Sequence, residues 1–159
     1  MQAFLDDLSK DERRIIRCAP HPARWTQFAS DHALTWTLTP FEVGGAANVP
    51  REAGFYCFIV ANAETRLPFV LYPLYAGETG DLRRRYRDYL REKDADGGRY
   101  HVRKFLSVFW GETIFAYAPV DIDRTARLPI ERQLNDALMP PYSRKDFSAQ
   151  QQAKRGAWQ

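Results

Sequence analysis

The chain has 159 residues, of which 45% are hydrophobic and 27% charged, with a formal net charge of +3. This is ordinary globular composition, long enough to bury one core without disulfides or a structural metal, and the two cysteines, Cys18 and Cys57, read as buried thiols rather than a zinc or disulfide framework. No apolar run approaches the roughly 20 residues of a membrane helix, and the start MQAFLDDLSKDERR lacks the basic-then-apolar order of a signal peptide, so a cytoplasmic protein with no membrane partner is expected.

Residues 1–50 read as a helical N-terminal extension. Ser9-Lys10-Asp11-Glu12 fits a capping box that opens a helix through Ile15 and Ile16. Pro20 and Pro22 interrupt it, and a second helix is expected to carry Trp25, Phe28 and Leu34. TWTLTPFEV (residues 35–43) alternates like a strand, and the breaker-rich GGAANVPREAG closes the extension.

The main unit is expected over residues 51–147. GFYCFIVA (54–61) is a near-continuous apolar run and hence a buried strand. FVLYPLYAG (69–77) is a second strand, paired with the first as an antiparallel hairpin across the loop NAETRLP. Pro73 places an edge or a bulge within it. A helix follows Gly80, with Leu82, Tyr86, Tyr89 and Leu90 at helical spacing. After the turn DADGG, residues 99–111 form a short helix and TIFAYAPVD a third strand. LPIERQLNDALMP is the last helix, with Pro129 near its start and Pro140-Pro141 ending it. Residues 148–159 read as a loose polar tail, docked by Trp158. The expected class is α/β (α+β): a small central three-stranded antiparallel sheet flanked by helices.

Charge is concentrated. Residues 82–104 hold nine Lys or Arg against four acids, a local excess larger than that of the whole chain. Such a patch is the footprint of a polyanion, although a solvated helix laced with ion pairs gives the same count. Two charges depart from simple amphipathicity. Arg85 lies three after Leu82 and four before Tyr89, and Glu131 lies three before Leu134, so both fall on apolar faces. Inward charges need partners. They form either a structural salt bridge between the two helices or a site in which the carboxylate holds a metal and the guanidinium a phosphate oxygen.

Gly54-Phe55-Tyr56 followed by Tyr75-Ala76-Gly77 resembles the two short motifs of the GIY-YIG nucleases. LYAGETGDLRRR is similar to that family's continuation, with the arginine ten residues after the tyrosine, here Arg85. Glu131 ahead of PPY resembles its catalytic glutamate. The departures are Ala76 for Ile or Val, Tyr89 where His is frequent, Ser143 for the expected Asn, and a wider separation of the motifs.

The resemblance implies a metal-dependent endonuclease acting on double-stranded or branched DNA. Tyr56, Tyr75, Arg85 and Glu131 would be catalytic, with one Mg²⁺ or Mn²⁺ held by Glu131. Arg85 would hold a non-bridging phosphate oxygen, and Tyr56 or Tyr75, with Tyr56 preferred, would act as general base or orient the water. Gly77, Thr79, Arg83, Arg84, Arg87, Tyr89, His101, Arg103, Lys104 and Ser143 are the expected DNA contacts, with Gly77 allowing close backbone approach. A nucleic-acid-binding module that has lost catalysis is the alternative. Oligomeric state and DNA specificity stay open.

Overall fold

The computed structural model describes residues 21–61, 71–94, 99–143 and 147–156. The proposed capping box, Ile15, Ile16, Cys18 and Trp158 lie outside the described residues. Within them, four strands and five α-helices form a mixed α+β fold. None of these helices is long and apolar enough to cross a membrane.

The first helix, α1 (Pro22–Asp31), starts with Pro22 in its first turn, where a missing N–H costs nothing. The His21 ring accepts from Arg24 N. The helix ends before Leu34, which lies in the segment leading to β1 (Thr37–Pro40). A short 3₁₀ turn (Gly45–Asn48) follows. Next come β2 (Gly54–Ala61), β3 (Leu71–Thr79), α2 (Leu82–Asp94), α3 (Tyr100–Val108), β4 (Thr113–Pro119), α4 (Arg124–Leu138) and α5 (Ala149–Gly156).

The sheet is antiparallel throughout, in the order β1-β4-β2-β3. It has four strands rather than three. Thr37–Pro40 pairs with β4 (Leu38 with Ala116, Pro40 with Ile114), occupying an edge that would otherwise present unpaired backbone groups. β2 is central and buried on both faces, which is why its sequence is continuously apolar rather than alternating. Phe58 opposes Tyr75 while Ile59 opposes Pro73, so Leu74 is the extra residue of a bulge on edge strand β3. A proline is tolerated at such a place.

Each face of the sheet has its own helices. Tyr56, Phe58, Leu74, Tyr75 and Phe115 pack with Leu82, Tyr86 and Tyr89 of α2 and Phe105 of α3. On the other face Phe55, Cys57, Ala76 and Ala116 meet Phe28 of α1 and Leu134 and Ala137 of α4.

Two helices at the C-terminal end differ from expectation. α4 begins at Arg124, not Leu128, because Asp123 caps it by accepting from Ala126 N at 2.8 Å; Pro129 therefore lies inside the helix. Residues 149–156 are helical rather than a loose tail. α5 is tied down by Ser148 N donating to Asp136 (3.0 Å) and by Arg24 donating to Gln151 (2.9 Å). Polar pattern alone could not show these partners, since they lie far away in sequence.

Candidate active site on the β2–β3 hairpin

The register Tyr56↔Gly77 and Phe58↔Tyr75 puts both motif tyrosines on the face covered by α2 and α3. The Tyr56 and Tyr75 rings are roughly parallel, with centroids 6.4 Å apart. Tyr89 of α2 completes a triangle, 5.8 Å from Tyr56 and 6.1 Å from Tyr75. The hydroxyls of Tyr56 and Tyr89 are hydrogen-bonded at 2.8 Å. All three side chains are buried. Gly77 makes room for this cluster: a Cβ at that position would lie 2.5 Å from the Tyr56 hydroxyl.

Two guanidinium groups flank the phenols. Arg85 is half-buried, and its Nε is fully buried without a hydrogen-bond partner. Arg99 is held by Glu92 through Nε (3.0 Å) and Nη2 (2.6 Å). It donates at 3.5 Å to the Tyr75 hydroxyl and stands 5.1 Å from the centre of the Tyr89 ring.

Burial pushes the Tyr56 phenol well above its ordinary range; Tyr89 and Tyr75 add to the shift, and Arg85 opposes it. Burial also raises Tyr89, against the pull of Arg99. For Arg85, burial alone would lower the pKa, but Tyr56 and Tyr89 outweigh it and the group sits above its usual value. Both arginines therefore stay charged, and the Tyr56 and Tyr89 phenols stay protonated at neutral pH.

Glu131 approaches the same hairpin from its outer edge. Its Oε1 accepts from Glu78 N at 2.9 Å. Further along that edge Ala76 N donates to Ser143 Oγ (3.2 Å) and Tyr142 N to the Leu74 carbonyl (3.0 Å). α4 and the segment after it thus satisfy the backbone groups that edge strand β3 turns outward. Glu131 is one helical turn beyond Arg127, whose Nε donates to Glu78 at 2.8 Å. The two predicted inward charges are therefore not each other's salt bridge: Glu131 binds the β3 backbone, and Arg85 lies against the tyrosines.

The expected DNA contacts divide into three kinds. Arg84, Arg87 and Lys104 are exposed, and His101 and Arg103 are half-buried on α3. Arg83 is committed to the 3₁₀ turn, donating to the carbonyls of Val49 (2.6 Å) and Ala47 (3.3 Å). Gly77, Thr79, Tyr89 and Ser143 are buried. Thr79 Oγ1 accepts from Asp81 N at 3.2 Å where the chain enters α2, and Ser143 caps the strand edge. Sequence reasoning missed Arg99 and Glu92. Their only signal was membership of the basic stretch, because Arg99 stands just ahead of α3 and outside any helical periodicity.

No group of three or more His, Cys, Asp or Glu side chains that could hold a metal occurs among the described residues. A Mg²⁺ site seldom needs one, since that ion commonly takes one or two carboxylates and fills its octahedron with water and phosphate oxygens. The single hard oxygen donor set of Glu131 fits such an ion.

No family model, curated protein or solved structure matches this chain.

Proposed function

We propose that this chain is a metal-dependent endonuclease that hydrolyses DNA phosphodiester bonds at the β2–β3 hairpin. The observation that carries the reading is Arg85. Its buried Nε makes no hydrogen bond, and the groups that act on it most are the Tyr56 and Tyr89 phenols, with the Asp88 carboxylate a weaker influence. The side chain is half-buried, so its terminal nitrogens rather than Nε would meet a ligand, and a phosphate oxygen is the acceptor a guanidinium fits best. The resemblance to GIY-YIG nucleases assigns this arginine to that role.

In this reading Arg85 holds a non-bridging oxygen of the scissile phosphate. Glu131 would hold one Mg²⁺ or Mn²⁺, which when bound supplies charge neutralisation and a more acidic water. Of the two motif tyrosines, Tyr75 is the better placed to orient the attacking water, because its hydroxyl already receives a hydrogen bond from a cation, Arg99. Tyr56, bonded to Tyr89 and held protonated by burial, supports the position of the cluster. Gly77 keeps the Tyr56 phenol seated against the strand.

The test is nicking of supercoiled plasmid by the purified protein with Mg²⁺, with EDTA, and with Glu131→Ala. Cleavage that requires both the ion and Glu131 is expected. Activity that survives Glu131→Ala would sink the site assignment. A binding module without catalysis is favoured by one observation, the spent Tyr56 hydroxyl; it predicts salt-sensitive duplex binding with no cleavage of plasmid or branched DNA.

A further inference from the structure

The basic stretch of the sequence is split by α2 into two surfaces. One is Arg85, facing the tyrosines. The other is a groove of about 630 Å³ lined by Arg51, Arg83, Arg84, Arg87 and Arg91, with Asp81 as its one acid. Neither Arg85 nor any of the three clustered tyrosines lines it. Helix geometry explains the separation: Arg83, Arg87 and Arg91 recur every four residues on one flank, whereas Arg85, two residues from each of the first two, projects about 160° away.

The groove's acid is already engaged, since Asp81 accepts from Arg84 N at 2.8 Å. Arg91 pairs with Asp88. Among the described residues Arg51, Arg84 and Arg87 have no carboxylate partner, and all three are exposed. So much like charge held around one concave surface repels itself unless an anion neutralises it. From Arg84 to Arg91 the helix rises about 10 Å. Successive phosphates of a DNA strand advance about 3.4 Å along the duplex axis, so three or four of them match this row.

We infer that this groove is a second DNA contact, which grips the phosphate backbone of a duplex segment other than the one presented to Arg85. The inference takes its partner class from the proposed function and adds a location to it. Guanidinium groups on one helix flank, without a base-reading element, bind by charge and carry no sequence preference. A duplex arm held there would leave the tyrosine face open to the strand being cut.

The experiment measures binding of a fluorescently labelled random-sequence duplex across a salt series in EDTA, so that cleavage does not intervene. The proteins are wild type, the triple variant Arg51→Ala/Arg84→Ala/Arg87→Ala, the same three positions changed to Lys, and Arg85→Ala. Each neutralised phosphate contributes about 0.9 to the slope of log affinity against log salt. The triple alanine variant should lose about 2.7 of slope, the lysine variant little, and Arg85→Ala about 0.9 at most. An unchanged slope in the triple alanine variant overturns the groove, even if Glu131-dependent nicking is observed. A lost slope supports it, even if no protein nicks plasmid. If heparin competes as well for the triple variant as for wild type, the duplex contact lies elsewhere and the inference fails.

Discussion

Tyr56 and Tyr89 share a hydrogen bond between their hydroxyls, 2.8 Å long, inside a cluster where neither side chain is more than 2% exposed. Neither residue's position in the sequence links it to the other: one is on the central strand and one on the last full turns of α2. Tyr89→Phe leaves the buried Tyr56 hydroxyl short of a partner, at a cost of about 1–3 kcal/mol, whereas Tyr56→Phe leaves the Tyr89 hydroxyl its bond to Tyr75 and should cost less. Removing both removes the need as well. In urea denaturation the double variant should therefore cost less than the sum of the singles by about 1 kcal/mol. Strict additivity would mean that the bond contributes nothing.

The same burial makes stability depend on alkaline pH. Burial raises the phenols of Tyr56, Tyr86 and Tyr89 in the folded chain, while in the unfolded chain they titrate near their ordinary value of about 10. Above that value the unfolded state binds fewer protons than the folded state, so unfolding becomes easier as pH rises. The stabilising contribution is fully present below about pH 10 and is lost above it. The Tm should fall between about pH 9.5 and 11.5, and the tyrosinate absorbance of the folded protein should account for fewer than its eight tyrosines. Full tyrosine titration before any loss of near-ultraviolet circular dichroism would contradict this.

Gly77→Ala places a Cβ 2.5 Å from the Tyr56 hydroxyl. Overpacking of this kind costs about 1–3 kcal/mol. The cost should shrink in a Tyr56→Phe background, where the nearest clashing atom is gone. Equal costs in the two backgrounds, read from denaturation midpoints, would locate the clash elsewhere.

Arg127 is 5% exposed; it donates to Glu78 at 2.8 Å and to the Ile122 carbonyl at 2.6 Å. Arg127→Leu leaves the largely buried Glu78 carboxylate only its longer ion pair with Arg124, at 3.7 Å, and breaking a buried pair on one side costs at most about 3–5 kcal/mol. Glu78→Gln in the same background should recover part of that loss. A single variant as stable as wild type would mean that Arg124 alone suffices for Glu78.

Arg85→Lys retains charge but loses the planar fork. Under the proposed function, cleavage should fall about 10²–10³-fold. Circular dichroism and Tm should stay near wild type, because Arg85 Nε makes no hydrogen bond that the substitution would break. Wild-type cleavage by this variant would remove Arg85 from the site.

Local pattern was enough for much of the framework. The apolar run of residues 54–61 announced a buried strand, Pro73 announced an edge or a bulge, and the spacing of Leu82, Tyr86 and Tyr89 defined the buried face of α2. These are properties of period and of proline's missing donor, so neighbours in sequence suffice to express them. Tertiary structure alone decided which groups meet. The strand legible at residues 35–43 joined the sheet as its fourth because β4 had an edge to fill, and residues 149–156 became a helix because Asp136 and Arg24 were there to hold it. The inward positions of Arg85 and Glu131 were legible as positions; that one faces phenols and the other the outer edge of β3 was not. The motif spacing names Tyr56, but its bond to Tyr89 depends on a register and a helix docking set by contacts dozens of residues apart. The basic stretch likewise reads as one patch in sequence, and only the winding of α2 against the sheet separates Arg85 from the arginine groove.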